Sequence, residues 1–459
     1  MWLTWPHLLS SGSVCRRPNL EALEIVLGPQ RKPGRSSAPP KPYCYATIRE
    51  GAGETKYVIV IADGMADYPV PELGNRTPLE YARTPSMDRL ARQGLMGTVA
   101  TIPRGLAPGS DVANLAIMGY DPRRYYTGRA PLEAASLGID LDEADVVYRC
   151  NLVTLDGNGD YTDKIMLDHS ADEISTPEAG ELLLEVRRRA GGNGCEFYPG
   201  VSYRHVMVWR QGEENIATTA PHDILDQAIG PYLPRGARGQ VLMDMMRQSH
   251  TYLPLHPVNR ARLERGLRAA NSIWLWGQGR KPRLPAFAAR YGLAAAVVSA
   301  VDLVKGLGLC LGLEVVEVPG ATGNINTNFT GKARAALEQL AAGKDLVYLH
   351  VEAPDEAGHR GELGTKIMAI EEIDSRVVGE VVRGLEGMGE EFRLLVMPDH
   401  FTPLSRRTHV ADPVPFVLYD STRLQDNGAR GFTEVAAAAS GLKLPAGHLL
   451  IRYLIGGGH

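Results

Sequence analysis

Six side chains able to hold metal ions stand in short, recognisable settings. Asp63 opens D-G-M-A-D, Asp355 and His359 frame D-E-A-G-H, Asp399 and His400 lie together in P-D-H-F-T-P, and His409 follows in R-R-T-H-V-A-D-P. Singly, each acid is as readily a helix cap or turn residue as a ligand. Together they are more specific, because carboxylates and imidazoles suit borderline divalent ions, and three acids with three histidines nearly fill two coordination spheres. Two ions about 4 Å apart stabilise both the entering and the leaving oxygen of an in-line phosphoryl displacement. The set predicts a two-metal site.

A seventh residue belongs with these by chemistry. Ser110, in L-A-P-G-S-D-V-A-N-L, stands where a turn opens into a helix. In that place a serine is commonly an N-cap. The same place offers free backbone N–H groups and a positive dipole end to a phosphate, and a metal on the serine oxygen would make it a nucleophile.

The elements that must position these residues are legible around them. Tyr57 to Ala62, Leu346 to Val351 and Arg393 to Met397 are short apolar runs of the kind buried in a parallel sheet, and each delivers an acid at its carboxyl end. Open α/β sheets bind their ligands there. Helical spacing alternates with the strands over Thr84 to Gln93, Gly331 to Ala342 and Lys366 to Glu386. Between about Val146 and Asn271 the texture turns to short alternating stretches, such as Val201 to Trp209, broken by turn residues. This predicts an α/β core over residues 51–140 and 271–459, interrupted by a smaller α+β domain over 141–270, with the main sheet resuming near Ser272.

Bulk properties narrow the class further. A net charge of -4 with pI near 6.3 gives no electrostatic footprint for nucleic acid or an acidic membrane, so an anionic ligand must be held by local cations or metals. The 5 cysteines are odd in number and never form C-x-x-C, which fits a reducing compartment. No apolar run reaches the about 18 residues of a membrane helix, and a cytoplasmic enzyme is expected. Residues 1–50, basic and Pro-rich without an apolar period, are expected to be a poorly ordered extension.

The ordered series D-G-M-A-D, A-P-G-S-D-V-A-N-L-A-I-M-G-Y-D-P, Y-Y-T-G-R-A-P-L-E-A, V-E-A-P-D-E-A-G-H and M-P-D-H-F-T-P resembles the archaeal-type cofactor-independent phosphoglycerate mutases of the alkaline phosphatase superfamily, from about Lys56 onward. The resemblance implies an alkaline-phosphatase-like core sheet flanked by helices. It implies two divalent ions, one held by Asp63, Ser110, Asp399 and His400 and the other by Asp355, His359 and His409. It further implies that Ser110 takes the phosphoryl group of 3-phosphoglycerate and returns it to the 2-hydroxyl, without added bisphosphoglycerate. Manganese is the first expectation for the metal, with magnesium, cobalt and zinc also tolerated by such donors.

A small substrate bearing a phosphoryl group and a carboxylate needs cations, and Arg suits both groups through its fork of donors. The candidates are Arg129 in T-G-R, Arg149 in Y-R-C-N, Arg204 in S-Y-R-H, Lys305 in V-D-L-V-K-G and His222 in P-H-D. The sequence departs from many relatives at His169, where an aromatic residue is usual. An imidazole titrates near neutrality, so His169 is a candidate general acid. A metal-dependent phosphatase or another phosphomutase would use the same metals and serine. A non-catalytic relative would be expected to have lost a ligand or the serine, and all seven positions hold competent residues.

Overall fold

The structure, a computed structural model, describes residues 55–456. The expected extension over residues 1–50 lies outside them. The strands run in chain order as β1 (Lys56–Ala62), β2 (Leu95–Val99), β3 (Val146–Asp156), β4 (Ile165–Asp168), β5 (Cys195–Tyr198), β6 (Arg204–Trp209), β7 (Ser272–Arg280), β8 (Ala295–Val298), β9 (Glu314–Val316), β10 (Leu346–Val351), β11 (Phe392–Met397), β12 (Val414–Asp420) and β13 (Lys443–Leu444). They form two sheets. The larger has the order β13-β2-β12-β11-β1-β10-β8-β9, and the smaller has β4-β3-β6-β5 with β7 also on β3.

The larger sheet is parallel where it matters for chemistry. β1 lies between β10 and β11, parallel to both, and β8 continues beyond β10. Every residue of β1 is buried, because helices cover both faces. Val58, Val60 and Ala62 enter one core, while Tyr57, Ile59 and Ile61 enter the other, as the two-residue side-chain period requires. A continuous apolar run is therefore the natural sequence for this position. The α/β class and a helix-flanked core sheet expected from the sequence are what the chain forms.

The smaller sheet is antiparallel throughout. Its central strand β3 splits its residues by face. Tyr148, Cys150 and Leu152 join a core that includes residues of the helices Thr176–Ala190 and Gly239–Tyr252, and the alternate positions Arg149 and Asn151 are left for the opposite face. Ser272–Arg280 corrects the expectation that the main sheet resumes there: it pairs with β3 from Ser272↔Val153 to Arg280↔Val146. Its apolar, Trp-rich pattern is that of any buried strand, and only pairing partners distinguish the two sheets.

The long helix expected over Lys366 to Glu386 is present as Leu363–Ile373 and Gly379–Met388, joined by a π-helical turn, Asp374–Val378. The Asp374 carboxylate accepts from Ser86 N and Met87 N at 3.1 and 2.7 Å, capping the helix Pro85–Gln93. No described helix is long and apolar enough to cross a membrane.

Candidate active site

Parallel strands bring the predicted acids to one end of the sheet. Asp63 follows β1, Asp355 lies in the helix Ala353–Arg360 after β10, and Asp399 with His400 follows β11. Asp63, Asp399 and His400 are essentially without solvent exposure. The turn after β1 is tight enough to require glycine. Gly64 has φ +60°, and a Cβ there would lie 2.6 Å from Asp355 Oδ1 and 2.8 Å from its Cα.

Two overlapping donor groups result. Asp63, Asp399 and His400 offer ligand atoms within 4.8 Å of one another, and so do Asp355, His400 and His409. His359 Nε2 lies 2.9 Å from His409 Nε2 and 3.3 Å from Asp355 Oδ2. His400 thus stands between the two sets. Glu352, which the sequence reading passed over, forms a third group with Asp63 and Asp355.

Electrostatics show how costly this arrangement is without cations. Burial pushes the Asp63 carboxyl well above its ordinary range, and the neighbouring Asp399 and Asp355 push it further. Its Oδ1 is buried without a hydrogen-bond partner among the described residues. Burial and Asp355 likewise raise Glu352 to about 8. For Asp355, burial is outweighed by His409 and His359, which hold it well below the usual range. Crowded oxygen and imidazole donors with an orphaned carboxylate oxygen fit divalent cations.

Polar neighbours orient these donors. Asp399 Oδ2 accepts from Asn114 Nδ2 at 2.8 Å, and Oδ1 accepts from Gly64 N at 3.2 Å and from His400 N at 2.9 Å. Tyr348 OH donates to Asn114 Oδ1. His350 Nε2 lies 3.0 Å from Asp63 Oδ2, with its Nδ1 at 3.3 Å from Ser299 Oγ. Thr402 Oγ1 donates to Asp355 Oδ1. His350 interrupts an otherwise apolar buried strand, and that interruption was the signal available in the sequence; Asn114, Tyr348 and Thr402 carried none.

Ser110 is the first residue of the helix Ser110–Ile117, with Gly109 at the cap position and no side-chain cap. Its hydroxyl is therefore not spent on capping. Ser110 Oγ lies 3.1 Å from His400 Nε2, which burial lowers to about 4 and so leaves neutral.

A second cluster faces this centre from the smaller sheet. Arg149 and Arg129 both bind Glu133, and the Arg149 guanidinium lies 4.3 Å from the centre of the Trp276 ring. His222 packs edge-on against Trp276 and His169, and His169 against Tyr203. Partial burial of the half-exposed His222 ring, then Arg149, His169, Arg129 and His359, lower it to about 3. Burial also lowers His169, which disfavours the cation that a general acid needs at neutral pH. Arg204 is exposed over the Tyr203 ring, and Lys305 Nζ is held by Glu317 at 2.7 and 2.8 Å. Arg360, next to His359, comes within 3.8 Å of Glu173 on the loop that carries His169. Of the five substrate-binding candidates, Arg129, Arg149 and His222 meet; Arg204 sits at the edge, and Lys305 is committed to Glu317.

Crowded buried acids ask for cations, and a helix-terminal serine beside them asks for phosphoryl chemistry. Fold and site together have the make-up of a phosphoryl-transfer enzyme with room for divalent cations. A sequence model of the 2,3-bisphosphoglycerate-independent phosphoglycerate mutases matches residues 91–259. The enzyme of that name from Methanothrix thermoacetophila is 51% identical over 402 residues, covering 88% of this chain and 100% of the relative. That from Methanosarcina mazei is 47% identical, covering 87% and 99%. Among solved structures, the PH0037 protein from Pyrococcus horikoshii has TM-score 0.72 at 29% identity over 88% of this chain and 97% of its own. The cofactor-independent phosphoglycerate mutase from Thermoplasma acidophilum has TM-score 0.57 at 25% identity over 88% and 100%. The chain belongs to the family of 2,3-bisphosphoglycerate-independent phosphoglycerate mutases, which are isomerases.

Proposed function

We propose that the chain interconverts 3-phosphoglycerate and 2-phosphoglycerate with two divalent cations, Ser110 carrying the phosphoryl group between the two positions. The observation that carries this reading is the place of Ser110, uncapped at a helix start and 3.1 Å from His400 beside the buried acids. Asp63, Ser110, Asp399 and His400 would hold one cation, and Asp355, His359 and His409 the other, manganese being the first choice. When bound, the cations supply charge stabilisation to the phosphoryl oxygens and lower the pKa of the serine hydroxyl.

The chain's own residues do the rest. Ser110 Oγ attacks phosphorus, the bond from phosphorus to the glycerate oxygen breaks, and that oxygen takes a proton. The N–H groups of the helix start face the phosphoryl group. Arg129 and Arg149 hold the glycerate carboxylate while the molecule turns. Its 2-hydroxyl then attacks the phosphoserine, and Ser110 is regenerated. Water must be kept out during the interval, which the cluster from the smaller sheet achieves by covering the centre.

The test is the product formed from 3-phosphoglycerate without bisphosphoglycerate, isomer or free phosphate, with metal content measured on the same sample. The expected product is 2-phosphoglycerate, with a phosphoryl mass increment on Ser110 after acid quench. Free phosphate as the main product, or activity that survives thorough chelation, would overturn the reading.

A further inference from the structure

Glu133 lies in the helix Ala130–Ser136 and divides its two oxygens between two arginines. Arg129 Nε donates to Oε1 at 3.1 Å, and Arg149 Nε donates to Oε2 at 2.8 Å. Both arginines are tied by Nε alone. Among the described residues their Nη atoms make no hydrogen bond, so two forks of donors are left pointing away from the carboxylate that anchors them. The Trp276 ring fixes the plane of the Arg149 guanidinium. The Glu133 and Arg149 side chains are only 13% and 6% exposed. The Nη atoms are not among the described buried polar atoms left without a partner, so they are open to solvent or to a ligand. Two arginines on one acid leave one guanidinium charge that Glu133 does not neutralise, with Asp111, the neighbour of Ser110, the next acid acting on Arg129.

We propose that Glu133 is the positioning residue that aims both guanidinium forks at the substrate carboxylate, and so keeps dephosphorylated glycerate in place until it takes the phosphoryl group back. This rests on the phosphoserine reading above. Without Glu133 the two cations repel each other and lose their aim, and glycerate escapes. Water then attacks the phosphoserine: its oxygen bonds to phosphorus, the bond from phosphorus to Ser110 Oγ breaks, and a water proton passes to Oγ, releasing inorganic phosphate. Glu133 thereby decides between mutase and phosphatase outcomes.

The experiment compares the full chain with E133Q and E133D, loaded with manganese, on 3-phosphoglycerate, measuring 2-phosphoglycerate and inorganic phosphate together. E133Q is expected to raise KM and the ratio of phosphate to isomer, each by about tenfold or more, the scale of breaking a buried charged pair. E133D, which keeps the charge, is expected to recover part of the isomer yield. If E133Q does not fold, R149K, which keeps a charge but loses the fork, must show the same rise in ratio. An unchanged KM and ratio in the folded E133Q, or in R149K where E133Q does not fold, overturns the proposal. So does a fall in both products at an unchanged ratio. Failure of the unaltered chain to form isomer would instead overturn the phosphoserine reading.

Discussion

The two faces of the site are built on opposite principles. At the larger sheet, Asp63, Asp399 and His400 are sealed from solvent, come from strand ends far apart in the chain, and are held by Gly64 N, Asn114, His350 and Thr402. At the smaller sheet, Arg129, Arg204 and His222 stay partly open and are kept in place by aromatic rings and one shared acid. On the proposed reaction, the first face would present a fixed charge pattern where bonds break, and buried polar networks supply that rigidity. The second, on the proposed reaction, would hold a molecule that turns over between two attacks, which an edge-on stack of rings with open donor forks permits. On the proposed reaction, rigidity would sit where the phosphoryl group moves least, and adaptability where the glycerate moves most.

Breaking the rigid face should have the largest effect. Ser110→Ala is expected to lower turnover by roughly 10⁴-fold or more with fold and metal content retained, as read in a coupled assay of 2-phosphoglycerate. On the open face, Arg149→Ala should raise KM by about 10–100-fold while kcat falls less, because it removes binding to the carboxylate more than to the reacting centre. An equal loss in kcat at unchanged KM would place Arg149 on the rigid face instead. His350→Gln tests whether the network behind Asp63 matters: cation affinity, measured by titration of activity, should drop by about 10-fold or more, while kcat at saturating metal is largely kept.

The smallest expected effect concerns the support of the rigid face. Glu434 accepts from Thr77 Oγ1 and Asp67 N, and burial raises it to about 7 from the ordinary 4.5. Folding therefore favours its protonated form. The corresponding stability is fully present below pH 4.5 and is lost as pH rises through about 7. Glu434→Gln should raise the melting temperature by about 2 °C or more at pH 8 and leave it nearly unchanged at pH 4.5. The opposite dependence would mean that the carboxylate is held charged.

The same contrast governs what could be read from the chain alone. A strand buried on both faces must be apolar throughout, and an acid at its end has few other uses, so β1, β10, β11 and their acids were legible. The antiparallel side is set by register, which alternation does not reveal. Ser272–Arg280 looked like a strand and is one, but its partner is β3. Glu133 had no assignment from the sequence, and it is tied to Arg149, 16 positions away, because β3 turns that side chain toward the helix Ala130–Ser136. The π-helical turn at Asp374 could not be read from helical spacing, and neither could the reach of its carboxylate to another helix's start.

The pairing of Val146 with Arg280 means that the chain enters and leaves the smaller sheet at neighbouring points. Everything between them is, mechanically, an appendage on a doubled stalk. Insertions or deletions between β3 and β7 would leave the strands that lead to Asp63 and Asp399 in register, because β4, β5 and β6 pair only within the smaller sheet.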